Sequence, residues 1–225
     1  MPSYKNLVAL LSSPSPIEPA DTLPTVKHLV KGMSEENKRH FPPLQVVDTL
    51  TTVKQLVEAM SEEKKLEVVQ EPGLLKALNK LLAGDAALAA LKVLCSLTKG
   101  LTPTNRMCKA AVFLVCLPSI KDQAATGSTL ERKQWAWVTL TRMANMKEEH
   151  LKAMFDSPDM VALLQSGMKS TDADIAESAT ITLSNLCCDE ETASAVLDNH
   201  PNLVQTLVDT FSNVGVCEKF ERKSS

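Results

Sequence analysis

The chain has 225 residues, a formal net charge of −3 and 44% hydrophobic residues. This composition is typical of a folded protein with a sizeable core, and it excludes global disorder. The near-neutral charge argues against nucleic acid as the main ligand, because phosphate binding needs a basic surface. Only 4% of the residues are aromatic and 7 are glycine, whereas sandwiches and barrels depend on β-forming residues and tight turns. We therefore expect an all-α protein.

A 16-residue sequence occurs twice near the N-terminus. Residues 21–36 and 48–63 are offset by 27 positions and are identical at 12 of their 16 positions. In the second copy, apolar residues three and four apart form one stripe, which predicts an amphipathic helix. Ser61 is the predicted N-cap of a second, shorter helix, with Glu62 and Glu63 in a first turn where the helix dipole favours negative charge. The stripe consists of Leu50, Val53, Leu56, Val57 and Met60.

A longer period runs through the rest of the chain. Three predicted helices share an alanine, a large apolar residue four positions later and another three positions after that, at offsets of 46 and 43 residues. The small alanine allows a neighbouring helix to approach, and the larger residues fill the space between helices. Units of short, medium and longer helices at this spacing are typical of helical-repeat proteins. The triplets are Ala90, Leu94 and Leu97; Ala136, Leu140 and Met143; and Ala179, Leu183 and Leu186.

The sequences Leu183-Ser184-Asn185-Leu186 and Pro72-Gly73-Leu74-Leu75 resemble the armadillo/HEAT family of helical repeats, over about residues 48–212. The resemblance implies an all-α, armadillo-like, right-handed α-solenoid, in which neighbouring units complete each other's core. Gly100–Leu130 fits this pattern poorly and is expected to contain a loose loop at Asp122–Ser128. The expected organisation is a flexible lead-in at 1–20, an armadillo-like domain at 21–214 and a tail at 215–225. Within the domain we predict irregular repeats at 21–60, a repeat at 62–100, an irregular repeat at 101–156, a repeat at 157–198 and a cap at 199–214.

Motifs for catalysis or metal binding are absent from the sequence. The histidines, at 28, 40, 150 and 200, do not have metal-ligand spacing to each other or to a cysteine pair, and there is no glycine-rich phosphate loop. Adjacent Cys187 and Cys188 are expected to pack in the core, because strain disfavours a disulfide between neighbours. We therefore expect no enzymatic activity, no cofactor, no metal site and no small-molecule substrate.

The chain is also expected to lack a signal peptide and a membrane-spanning segment. Met1–Leu11 has no charged segment followed by a long apolar stretch. The most apolar run, Ala110–Leu117, is much shorter than the ~18 residues that a span requires. The expected location is the cytoplasm, with the nucleus or a cytoskeletal assembly as alternatives.

The strongest functional signal is one face of the predicted third helices. Trp135, Val138, Thr139 and Arg142 fall at helical spacing on a side that differs from that of the core triplet. In an armadillo-like protein this side would look into a concave groove, and Trp and Arg often dominate binding energy. The alternative is that Trp135 packs on the neighbouring repeat, as large aromatic side chains usually do. The equivalents one repeat later are Ser178, Ile181, Thr182 and Asn185. From both helices, the candidate protein-binding residues are Trp135, Val138, Arg142, Ile181 and Asn185.

Armadillo proteins of the importin-alpha type hold basic peptides with a ladder of Trp and Asn on these helices. In this sequence the Asn positions hold Ser96, Arg142 and Asn185, and the Trp positions hold Lys92, Val138 and Ile181. Because Arg142 would repel a basic peptide, we expect a protein or extended peptide that is acidic or phosphorylated. The expected function is a non-catalytic scaffold or adaptor. The alternatives are a structural subunit or co-chaperone of a larger assembly and, in a different class, a nucleic-acid-binding HEAT-like protein.

Overall fold

The computed structural model describes residues 43–71, 73–146 and 148–214. These residues are 80% helical and contain no strand, which confirms the all-α prediction. The predicted lead-in, the first copy at 21–36 and the tail lie outside the described residues. The helices of the described part are α1 (Pro43–Ala59), α2 (Glu62–Val69), α3 (Leu74–Leu81), α4 (Ala87–Leu97), α5 (Pro103–Thr126), α6 (Leu130–Met143), α7 (Glu148–Phe155), α8 (Met160–Met168), α9 (Ala173–Leu186), α10 (Glu190–Asn199) and α11 (Pro201–Val214).

The chain divides into two compact units, of which the first ends at Val115 and the second begins at Cys116. Helix α5 runs through this boundary and contains Pro118, which has no N–H to donate to the carbonyl four residues earlier. The predicted loose loop at Asp122–Ser128 is wrong, because α5 continues to Thr126. Burial of Gln123 and Ala124 holds this polar stretch in its helix, and only 127–129 separate it from α6.

In unit 1, α1 packs against α4, and α3 packs against both α2 and α4. All five residues of the predicted α1 stripe are buried, as is the triplet of α4. Ser61 is the N-cap of α2, and its hydroxyl accepts from the amide of Lys64. The second copy of the duplicated sequence therefore forms a helix, a cap and the start of the next helix, as predicted.

The turn between α4 and α5 depends on Gly100 and Asn105. The side chain of Asn105 donates from Nδ2 to the carbonyl of Lys99 at 2.6 Å, just beyond the end of α4, where helix geometry leaves carbonyls without partners. Gly100 has a φ of +127°, which side chains disfavour. A Cβ at this position would also lie 2.7 Å from Oε1 of Glu62. A side chain at position 100 would therefore strain this turn.

In unit 2, α9 packs against α6 and α8, and α11 packs against α8 and α10. The predicted core triplets of α6 and α9 are confirmed, since every member is at most 1% exposed. Trp137 is also buried, and its indole lies directly against α8 at Gly167. A Cβ at Gly167 would overlap the indole and lie 2.8 Å from Cβ of Ala179. The absence of a side chain at Gly167 therefore makes room for Trp137.

Hydrogen bonds between helices join residues at a recurring sequence separation. In unit 1, Ser96 bonds to Glu58, 38 positions earlier. In unit 2, Thr141 bonds to Ser178 at a separation of 37, and Asn185 bonds to Thr141 at a separation of 44. These bonds join α4 to α1 in unit 1 and α9 to α6 in unit 2, the same helix pairs that pack on each other.

A carboxylate at the N-terminus of α10 makes the stability of the fold depend on pH. The carboxylate of Asp189, the N-cap, accepts from the hydroxyl of Thr192 at 2.7 Å and from its amide at 2.8 Å. Both bonds stabilise the charged carboxylate, so they hold the pKa of Asp189 below its usual value of 3.8. The bond from the Thr192 hydroxyl has the larger effect. A carboxyl whose pKa is lower in the folded state stabilises the fold above its unfolded pKa, and this contribution is lost as pH falls through the folded pKa.

We therefore expect Asp189→Ala to lower the Tm at pH 7 and the difference from the parent protein to shrink below about pH 4. Thermal melts of both proteins from pH 7 to pH 3 measure this difference. Asp198→Ala is the matched control, since Asp198 is an exposed carboxylate near the other end of α10 and is expected to cost little. A difference for Asp189→Ala that stays constant with pH would contradict the prediction.

Candidate protein-binding face

Helices α6 and α9 lie side by side and run in the same direction. Near the start of α6, Gln134 donates to Asp172, the N-cap of α9, at 3.3 Å. Near the end of α6, the hydroxyl of Thr141 donates to the carbonyl of Ser178 at 3.0 Å and lies 2.9 Å from the hydroxyl of Thr182. Because early residues pair with early residues and later ones with later ones, the two helices are parallel.

The five candidate residues form a surface that we call the α6–α9 face. All five are partly exposed, whereas the core triplets of the same helices are buried. Helical spacing places Trp135, Val138 and Arg142 on one side of α6, and Ile181 and Asn185 on the corresponding side of α9. Because the helices are parallel neighbours, the five side chains lie on one side of the pair.

Asn185 connects α9 to α6 near the C-terminal ends of both helices. Its Nδ2 donates to the backbone carbonyl of Thr141 on α6 at 3.5 Å. The residue at the equivalent position of α4, Ser96, donates its hydroxyl to Glu58 of α1 at 3.2 Å. In both units this helix position therefore contacts the helix against which its own helix packs, α1 for Ser96 and α6 for Asn185. The bond occupies one of the two amide N–H groups of Asn185 and fixes where the side chain lies.

Two threonines assigned to this side by spacing are buried instead. Thr139 and Thr182 are 0% exposed. Their hydroxyls donate to the carbonyls of Trp135 and Ser178, four residues earlier, at 2.8 and 2.7 Å. A threonine in a helix can be buried in this way because its own helix satisfies the hydroxyl. The assignment of Thr139 and Thr182 to the outward side was therefore wrong.

The two tryptophans of α6 have different environments. Trp137 is 1% exposed and packs on Gly167, whereas Trp135 is partly exposed on the α6–α9 face. Arg142 lies in the last turn of α6, where its charge also interacts favourably with the helix dipole. The face thus combines an aromatic surface, a cation and an amide.

Two of the buried cysteines in the described part of the chain, Cys108 and Cys116, lack a reactive thiolate. Burial raises the pKa of Cys108 to about 11 and that of Cys116 to about 12, so both thiols are protonated at neutral pH. Cys187 and Cys188 are free, but the prediction that this pair packs in the core is wrong for Cys188, which is exposed. Cys187 is already the C-cap of α9, so the residue after it has left the buried stripe.

Sequence reasoning missed a set of buried polar side chains on α5. Asn105 is 0% exposed, Lys109 is 1% exposed and Gln123 is 8% exposed. The only signal for the first two is their spacing of four residues, which places them on the helix side that also carries buried Cys108 and Val112. In the described ranges, no group of three or more His, Cys, Asp or Glu is arranged to hold a metal ion. None of the described helices is long and apolar enough to cross a membrane.

Comparisons with known proteins show the fold only. No protein-family model matches the chain, and no curated protein matches it either. Among solved structures, the crystal structure of an engineered protein matches with a TM-score of 0.57 and 16% sequence identity, over 93% of this chain and 95% of that chain. At this identity the likeness extends to the architecture and carries no function. The chain is thus a protein of many packed helices that resembles an engineered one.

Proposed function

We propose that this protein is a non-catalytic interaction scaffold of the armadillo/HEAT type, and that it binds an extended segment of another protein across the α6–α9 face. The helix lengths support the repeat type: 8, 8 and 11 residues for α2, α3 and α4, and 8, 9 and 14 residues for α7, α8 and α9. The recurring separation of the hydrogen bonds between helices also supports it, since it follows the same period.

Helix α5 fits the same order when its halves on either side of Pro118 are counted as the first and second helices of a unit. Its 24 residues then precede α6, a third helix of 14 residues like α9. The fusion explains why Gly100–Leu130 fits the repeat pattern poorly. On this interpretation, the described chain contains three complete units, and α1 is the third helix of an earlier one.

The observation that carries the functional proposal is the parallel packing of α6 and α9. It brings the five candidate side chains onto one side of two adjacent helices, although the groups on α6 and α9 are 43 residues apart in sequence. Trp135 offers apolar area, Asn185 offers an amide that suits the backbone of an extended peptide, and Arg142 can clasp a carboxylate or phosphate with two hydrogen bonds. The partner that this chemistry fits is an acidic or phosphorylated segment.

We expect Trp135→Ala and Arg142→Ala to weaken partner binding by at least ~2 kcal/mol each, about 30-fold in affinity, if they are binding hot spots. The partner is first captured from lysate by the immobilised parent protein and identified by mass spectrometry, and its Kd is then measured for each folded variant. Phosphatase treatment of the partner should weaken binding to the parent and change binding to Arg142→Ala much less.

Two control variants separate this face from general surface effects. Leu130→Ala removes an exposed apolar side chain from the same helix, and Lys169→Ala removes an exposed positive charge at the end of α8. Neither should change the Kd by more than about twofold, which corresponds to ~0.4 kcal/mol. If Trp135→Ala and Arg142→Ala bind like these controls, the α6–α9 face is not the binding site. Capture of nucleic acid with strong salt dependence would instead favour the HEAT-like nucleic-acid alternative.

A further inference from the structure

We propose that the surface of α4 that α1 covers is a docking face for either copy of the duplicated sequence, and that residues 21–36 occupy it when residues 48–63 are displaced. This inference goes beyond the proposed function and does not depend on it. The docking face belongs to unit 1, whereas the α6–α9 face belongs to unit 2.

The first step is that the buried side of α1 is present twice in the chain. Helix α1 packs against α4, and its apolar stripe is buried. Each residue of that stripe has an identical residue 27 positions earlier. Both copies therefore carry the same set of apolar side chains for α4 to receive. The earlier set is Leu23, Val26, Leu29, Val30 and Met33.

The second step is where the two copies differ. Only four positions differ between 21–36 and 48–63, and all four correspond to residues that are exposed in the second copy. No residue of the buried side is changed, and the partly buried positions are unchanged as well. The differences thus leave the buried apolar side unchanged, and Glu58 is the one differing residue with a hydrogen bond to α4. The four residues in the second copy are Thr51, Gln55, Glu58 and Ala59.

The third step explains why the second copy is the usual occupant. Glu58 accepts a hydrogen bond from Ser96 of α4 at 3.2 Å and pairs with Lys54 at 2.9 Å. The first copy has Lys31 at this position, four residues after Lys27, and like charges at this helical spacing repel each other. Lys31 therefore cannot accept a hydrogen bond from Ser96 and cannot form an ion pair with Lys27.

The helix-forming preferences of the two copies also favour the second copy as the occupant of α4. The first copy has Pro24 where the second has Thr51, and proline is tolerated only in the first turn of a helix. It also has Gly32 where the second has Ala59, and glycine is a poorer helix former. Residues 21–36 are therefore the weaker ligand of α4, and they dock when the second copy is lost from the face.

The chain connection permits the exchange. If Met33 takes the place of Met60, the link to α2 becomes 27 residues longer. The entropy of closing a loop grows only with the logarithm of its length. Since both copies belong to one chain, the exchange should not depend on protein concentration.

A double-mutant cycle in the full chain tests this proposal. Val57→Asp disables the second copy and Val30→Asp disables the first. We expect Val30→Asp to lower the Tm by less than about 1 °C in the parent protein but by about 4 °C or more in the Val57→Asp background, because only there does the first copy stabilise unit 1. Hydrogen exchange of the α4 amides should change in parallel. The control is His28→Asp in the Val57→Asp background, since His28 corresponds to exposed Gln55 and should add no loss.

Equal effects of Val30→Asp in the two backgrounds would overturn the proposal. The Val57→Asp protein could fail to show a cooperative thermal transition. In that case the same cycle is measured with Val57→Ala and Val30→Ala, because removing methyl groups is a milder change. Additive losses in that cycle also overturn it. A Tm of the Val57→Asp protein that rises with protein concentration would place the docking segment on a second chain, which contradicts exchange within one chain.

Discussion

Leu183→Asp is expected to destabilise unit 2 by about 4 kcal/mol or more, since it combines the loss of a buried leucine with the burial of an unpaired carboxylate. Leu183 is 1% exposed and is the central residue of the α9 triplet. Helix α9 packs against both α6 and α8, so the carboxylate can reach water only if α9 separates from its neighbours. The expected result is a lower or absent cooperative melt, with loss of hydrogen-exchange protection in α6 and α8 before α3 and α4.

Ser184→Asp is the matched control for this variant. Ser184 is the next residue on the same helix and is exposed, so the same carboxylate is placed in water. Its effect on the free energy of unfolding should stay within about 0.5 kcal/mol. Similar melts for Leu183→Asp and Ser184→Asp would mean that Leu183 is not in the core.

The second large effect is expected at the contact between Trp137 and Gly167. Trp137→Ala should cost about 3–5 kcal/mol, because it removes a large buried side chain and leaves a cavity. Gly167→Ala should cost about 1–3 kcal/mol in the parent protein, since its Cβ would overlap the indole and force the ring to move. In the Trp137→Ala background the same change should cost clearly less, because the overlap with the indole is gone and only the contact with Cβ of Ala179 at 2.8 Å remains.

Thermal or denaturant unfolding of the two single variants and the double variant measures this coupling. Gly84→Ala serves as the control, since the nearest atom to a Cβ there is the carbonyl oxygen of Leu81, at 3.9 Å. It should be close to neutral in both backgrounds. Costs of Gly167→Ala that are equal with and without the indole would show that Trp137 does not occupy the space above Gly167.

Much of the local structure could be predicted from sequence because helical periodicity is a local property. The triplets of α4, α6 and α9 and the stripe of α1 are buried as their spacing indicated, since an apolar stripe on a helix must face other helices to leave water. The Ser61 cap could also be predicted, because a hydroxyl before an acidic first turn satisfies amides within the same few residues. The partly exposed face of α6 followed from the same periodicity.

Other features depend on residues that are distant in sequence. Asp122–Thr126 is polar enough to resemble a loop, yet burial of Gln123 keeps it helical. Thr139 and Thr182 have the spacing of outward residues but are covered by neighbouring helices. Cys188 follows the core stripe of α9 in sequence but lies beyond the end of that helix.

The candidate face also depends partly on local helical spacing and partly on residues that are distant in sequence. Spacing alone indicated that Trp135 and Arg142 lie on a side of α6 away from its core triplet. The hydrogen bonds from Gln134 to Asp172 and from Asn185 to the carbonyl of Thr141 depend on which helix lies beside α6. A helix repeats every 3.6 residues and so displays in its own sequence which side avoids water, but not which neighbour covers that side. The sequence by itself therefore determined the helices and their buried sides, and the tertiary structure decided which helices are parallel neighbours, why Gly167 has no side chain, and which outward residues remain partly exposed.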